Sequence, residues 1–202
     1  MALQPNHVTA LVGAALLLVA GIGVAIVEEP GQTAPSTGKK FHVSFPVSES
    51  STGQTGQTAD AQTNEVSIPL DVYNLTIAVM AVTWTDNPPL FAQAAMVTVQ
   101  VEDPAGNQAG SGQGTASPIL IPLGGFNEPP EEFNITASSE EKAWDRVLDD
   151  YPLTENGTGA WKVTISVQRS GFGSIFRRGS VSWDVEIGYG YYSAQLEEVQ
   201  KE

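Results

Sequence analysis

The sequence predicts a mainly β protein: an N-terminal transmembrane helix followed by an antiparallel, jelly-roll-like β-sandwich with one short amphipathic helix. Three observations predict it. Val8 to Val27 is an uncharged apolar run; the region beyond residue 65 is built of alternating apolar and polar residues separated by turn chemistry; and one stretch alone carries helical periodicity.

Each element follows in order. Residues 1–7 are a short tail without Lys or Arg, and 8–27 (VTALVGAALLLVAGIGVAIV) is long enough, at about 1.5 Å per residue, to cross about 30 Å of hydrocarbon. The rival is a cleaved signal peptide, for which Gly23-Val24-Ala25 offers a small-x-small site; the absent basic n-region and the length of the run favour a retained anchor. Lys39 and Lys40 give the positive-inside rule too little to work with. Orientation rests instead on three sequons, at Asn74, Asn134 and Asn156, which place the C-terminal domain on the extracytoplasmic side and make those asparagines glycosylation candidates.

Residues 28–64 read as a linker, because Ser48 to Asn64 is rich in Ser, Thr, Gly and Gln and nearly devoid of apolar side chains. Within it, Phe41 to Val47 alternates as a possible first strand, either docked on the domain or free to pair with another chain. The domain proper is expected over 65–202. Val72 to Thr85 is apolar on both faces and should be central. Val97, Val99 and Val101 form a half-buried strand ending in the turn Asp103 to Asn107. Gln108 to Ser117 reads as a Gly/Ser loop, and Ile119 to Leu123 as an edge strand because of Pro122.

Ser138 and Glu141 fit a capping box, and Trp144, Val147, Leu148 and Tyr151 form one helical stripe that Pro152 ends. Two long strands follow, with Trp161, Val163, Ile165 and Val167 inward in the first and Val181 to Tyr191 alternating in the second. Trp161 and Trp183 should share one core, Tyr192 should be exposed, and a second short helix is expected from Ala194.

Composition narrows function by exclusion. Lys plus Arg number 9 against 23 Asp plus Glu, so the net charge of −14 argues against nucleic acid as a partner. Absent cysteine excludes disulfides, thiolate metal sites and cysteine nucleophiles, and an exported domain without disulfides points to a prokaryotic source. The histidines are His7 and His42, which leaves no base for a Ser-His-Asp site and too few ligands for zinc. No catalytic residue, and no cofactor, is expected. The calcium candidates are the loop acids Asp86, Asp103, Asp149 and Asp150, the last two opposing a helix dipole that a cation or Arg146 would relieve.

Val82 to Asp86, Val97 to Asn107, Ile119 to Gly124, Gly157 to Gly171 and Trp183 to Tyr192 follow an order that resembles extracellular jelly-roll sandwiches of the pre-peptidase C-terminal and proprotein-convertase P-domain type. The resemblance implies a non-catalytic accessory module. The chain departs from it by its added helix and by carrying no peptidase. The acidic single-pass plan also looks like archaeal surface proteins. The function expected is therefore a membrane-anchored structural or protein-binding module of the cell envelope or of a membrane complex, with a protein partner or a second copy of itself. A filament subunit assembled by strand complementation and a carboxylate-dependent glycan-active enzyme are the alternatives.

Overall fold

A computed structural model describes residues 38–88, 93–170 and 179–200. The apolar run at 8–27 lies outside them; among the described residues no helix is long and apolar enough to cross a membrane. The order of elements is β1 (Lys39–Ser44), β2 (Val47–Ala59), β3 (Gln62–Leu70), β4 (Leu75–Asn87), β5 (Met96–Glu102), β6 (Gln108–Gly114), β7 (Ile119–Gly125), β8 (Phe133–Ala137), α1 (Glu140–Asp150), β9 (Gly159–Gln168), β10 (Ser180–Tyr192) and β11 (Gln195–Glu198).

The pairings explain the architecture. β5 pairs with β6, β4 with β7, β3 with β9 and β2 with β10, all antiparallel, so the chain forms one long hairpin that is wrapped over on itself. Its closed end is the turn predicted at Asp103 to Asn107, where Gly106 takes φ +85° and the Asp103 N–H donates to the Asn107 carbonyl at 2.8 Å. Wrapping produces two four-stranded sheets, β2-β10-β4-β7 and β3-β9-β5-β6. That strand order is the jelly roll. The expected central strand is β4, flanked by β10 and β7, and the proline-bearing β7 is an edge.

The inner faces close one core, in which Trp161 and Trp183 are buried together with Met80, Val99, Ile165 and Ile187. At one side of the sandwich β2 is tied to β3 by the Gln54 amide, which donates to the Ser67 carbonyl at 2.6 Å. At the other, β6 meets β7 through glycine: a Cβ at Gly112 would stand 2.5 Å from an Ile119 methyl, and one at Gly110 would collide with Ile121.

A second, smaller core lies at one end. β1 runs between β8 and β11, α1 packs on this three-stranded sheet, and Phe41, Val43, Phe45, Ile135, Ala143, Val147 and Tyr192 are buried there. We call this unit the cap. Asn74, at φ +54°, joins it to the sandwich. Its N–H donates to the Thr154 carbonyl at 2.9 Å, its carbonyl accepts from the Tyr192 N–H at 3.2 Å, and its side-chain oxygen accepts from the Thr154 N–H at 3.0 Å.

Several expectations are corrected. Ser48 to Asn64 is no linker but β2 and the start of β3, so the folded domain includes the strands ahead of residue 65. Its inward positions look polar because a neighbouring strand fills the space. Gly56 lies under the Trp183 ring, and Thr58 accepts the indole N–H at 2.9 Å. The Gly/Ser loop at 108–117 is largely β6, where inward glycines make room for β7. α1 is capped by Ser139, whose hydroxyl accepts from the Lys142 N–H at 3.3 Å, not by Ser138. The helix buries Ala143 and Val147, which leaves Leu148 and Tyr151 exposed. The C-terminal helix is instead β11, recruited by β1. Tyr192 does sit opposite Tyr189 and Tyr191, but it is buried, because the cap covers the outer face of β10 there and Phe45 meets its ring edge-on at 6.0 Å. The docked alternative for Phe41 to Val47 describes β1, whose apolar side chains point into the cap.

Candidate interaction surface

Titratable groups gather at the end of the sandwich away from the closed turn. The Arg169 side chain is fully buried; its Nε donates to both Asp60 oxygens at 3.1 and 2.9 Å, and its Nη1 to Asp86 Oδ2 at 2.9 Å and the Gln93 carbonyl at 2.7 Å. A further hydrogen bond joins Nη2 to Asp86 Oδ1. Backbone N–H groups complete the node, Gly179 to Asp60 at 2.8 Å and Ala95 to Asp86 at 2.9 Å. Five chain segments, that of Arg169 among them, thereby meet in one node. Burial alone would raise the Asp86 pKa; the Arg169 hydrogen bonds, the Ala95 N–H and the guanidinium charge outweigh it and hold the carboxyl below its ordinary range. Such a node ties distant parts of the chain together, with both of its carboxylates paired to Arg169.

The four calcium candidates are not brought together. Asp86 is taken by Arg169. Asp103 accepts N–H bonds from Asn107 and Ala105 at 2.8 and 2.9 Å, which close its own turn and lower its pKa, the Asn107 N–H contributing most. Asp149 and Asp150 end α1 in the open, with Arg146 3.8 Å from Asp150. Among the described residues no three His, Asp or Glu side chains converge as metal ligands would. The sequons also differ in position: Asn74 is buried at the junction, Asn134 is exposed on β8, and Asn156 is exposed beside the sandwich.

The feature suited to recognition is apolar. Four large side chains at the sandwich–cap junction stand in solvent: Tyr73 (45 % exposed), Leu148 (47 %), Tyr151 (38 %) and Leu153 (56 %). Leu148 and Tyr151 share a helix face at i, i+3. Tyr73 and Leu153 each precede a member of the hydrogen-bonded pair Asn74 and Thr154. The Tyr151 ring is held against Phe45 and Phe133, each 5.3 Å away between centroids. Asp71, Asp149, Asp150 and Glu155, within two residues of these positions in the chain, are exposed as well, and the negative end of the α1 dipole adds to their charge. An aromatic and aliphatic centre with a polar rim is the anatomy of a protein contact. The periodicity puts Leu148 and Tyr151 in the buried stripe; the cap takes the side of α1 that carries Ala143 and Val147, which leaves Leu148 in water and Tyr151 only part covered by Phe45 and Phe133.

No protein-family model matches the chain, and no curated protein matches it. The resemblance to pre-peptidase C-terminal and P-domain modules therefore rests on the sandwich architecture alone. Among solved structures, the chain is similar to one from the Gt strain of infectious bursal disease virus, at 12% identity and TM-score 0.30, over 88% of this chain and 43% of that one. It is also similar to one from the Gx strain, at 13% identity and TM-score 0.24, over 88% and 42%. A third is TmCBM61 in complex with β-1,4-galactotriose, at 12% identity and TM-score 0.21, over 77% and 88%. The chain spans less than half the length of the viral chains, and likeness at this level carries no argument about function.

Proposed function

We propose that this chain is a membrane-anchored, extracytoplasmic β-sandwich that binds another protein without catalysis, as a module of the cell envelope or of a membrane complex. The observation that carries the reading is the exposure of Tyr73, Leu148, Tyr151 and Leu153, four large apolar side chains from two stretches of chain that the Asn74–Thr154 hydrogen bond ties together. The apolar run at 8–27 supplies the anchor. The accessory, non-catalytic character of the modules it resembles agrees with this role, and so does an Arg169 node in which both carboxylates are already paired.

The filament alternative needs a free first strand. β1 has partners on both sides within its own chain, β8 and β11, which speaks against it. The test is co-purification from native membranes of the full-length protein and of a Tyr73→Ser, Leu148→Ser, Leu153→Ser variant. We expect an unchanged melting temperature, because exposed positions contribute within about 0.5 kcal/mol each, and loss of a protein that accompanies the wild type. If wild type and variant bring down the same proteins in the same amounts, the patch is not the contact.

A further inference from the structure

The three sequons are equal in sequence and unequal in the fold. In Asn-linked glycosylation the amide nitrogen takes the anomeric carbon of a lipid-diphosphate-linked oligosaccharide. An N–C bond forms, the C–O bond to the carrier breaks, the lipid diphosphate leaves with its electron pair, and one amide proton passes to a base of the transferase. Nothing is oxidised or reduced. The product keeps a bulky sugar on Nδ2, so the folded chain must offer that atom a path to water.

Asn74 offers none. It is 5% exposed, its Nδ2 faces the Tyr192 carbonyl at 3.4 Å, and its Oδ1 accepts from both the N–H and the hydroxyl of Thr154, at 3.0 and 3.3 Å. A sugar there would part the cap from the sandwich. Asn156 is exposed, but its sequon is folded against the domain. Its Nδ2 donates to the Phe126 carbonyl at 3.5 Å, and the Thr158 hydroxyl is spent on the Val72 carbonyl. Gly157, at φ +83°, has Leu75 and Phe126 2.7 Å from where a Cβ would stand.

Asn134 differs on each count. Phe133 and Ile135 point into the cap core, so strand alternation turns Asn134 and Thr136 to the solvent face of the three-stranded sheet, and both are exposed. β8 is an edge of that sheet, with His42 as the cross-strand neighbour of Asn134. The face is opposite the one that α1 covers, so a glycan there leaves Leu148 and Tyr151 free. We propose that Asn134 is the glycan acceptor of this chain, carrying an Asn-linked oligosaccharide on the outer face of the cap, and that Asn74 stays bare. The inference rests on the extracytoplasmic placement proposed above.

The test is glycopeptide mass spectrometry on full-length protein purified from its own membranes, paired with protease protection of sealed membranes to locate the domain. The expected result is a domain open to protease from outside, a glycan at Asn134 and an unmodified Asn74. Asn134→Gln and Thr136→Ala should each remove the glycan mass without moving the melting temperature, whereas Asn74→Gln should lower the melting temperature without changing the glycan mass. An outside domain with Asn134 bare, or with Asn74 or Asn156 modified in its place, overturns this inference and leaves the placement standing. A domain protected inside, with all three asparagines bare, overturns both.

Discussion

The two cores of this protein are assembled in different ways. In the sandwich the two last long strands carry their own alternation: Trp161, Val163, Ile165 and Val167 all face in along β9, as Val181, Trp183, Val185 and Ile187 do along β10. In the cap, the buried side chains come a few at a time from β1 and the residue Phe45 just beyond it, from β8, from α1 and from the end of β10, with Leu196 of β11 half-buried beside them. No cap piece is long enough to announce its partner, and none could bury its apolar face alone. The difference teaches that burial is readable in sequence where one element presents a whole face, and unreadable where several elements share a few residues each.

The sharpest way to break the sandwich is Trp161→Ala or Trp183→Ala. Each should cost about 3–5 kcal/mol, as loss of a buried large aromatic does, and should lower the urea midpoint of the whole domain. Trp183→Ala would also strip Thr58 of its hydrogen-bond partner and leave a void over Gly56. If either variant melted like the wild type, the inward assignment of both strands would be wrong. Arg169→Met should rank close behind, at about 3–5 kcal/mol, because it leaves the Asp60 and Asp86 carboxylates facing each other without a cation. Substituting Asp60, Asp86 and Arg169 together by apolar residues should restore part of that loss.

The cap should yield to a smaller change and yield locally. Val147→Ala, at the centre of its core, should cost about 1–3 kcal/mol. Amide exchange should then rise in β1, β8, α1 and β11 before it rises in β9 or β10. Uniform loss of protection would show that sandwich and cap are one cooperative unit. The smallest effect is that of pH. Asp86 has a folded pKa below its unfolded value, so its contribution is fully present above about pH 4, the unfolded carboxylate value, and is lost as pH falls through the lower folded value. A melting series from pH 6 to pH 2 should show an acid loss in the wild type that Asp86→Asn reduces. An equal slope in both would place the acid-sensitive group elsewhere.

By itself the sequence determined the strands with one apolar face, the turn at Asp103 to Asn107, the helix before Pro152 and the sandwich class, because each follows from local periodicity and turn chemistry within one segment. It also determined the acidic charge and the absence of thiols, and with them the chemistry the domain does without. What only the tertiary structure decided is whatever depends on a neighbour far away in the chain. Gly56 and Thr58 are interior because Trp183 reaches over them, and Gly110 and Gly112 make a strand because Ile119 and Ile121 need their space. Arg169 is buried because Asp60 and Asp86 arrive from distant parts of the chain, and Leu148 is exposed because the cap takes the other side of α1, whereas Tyr151 lies against Phe45 and Phe133 and keeps only part of its ring in water. Polar residues and glycines carry no burial signal of their own: their environment is set by which side chain fills the space beside them, and long-range pairing alone supplies that side chain.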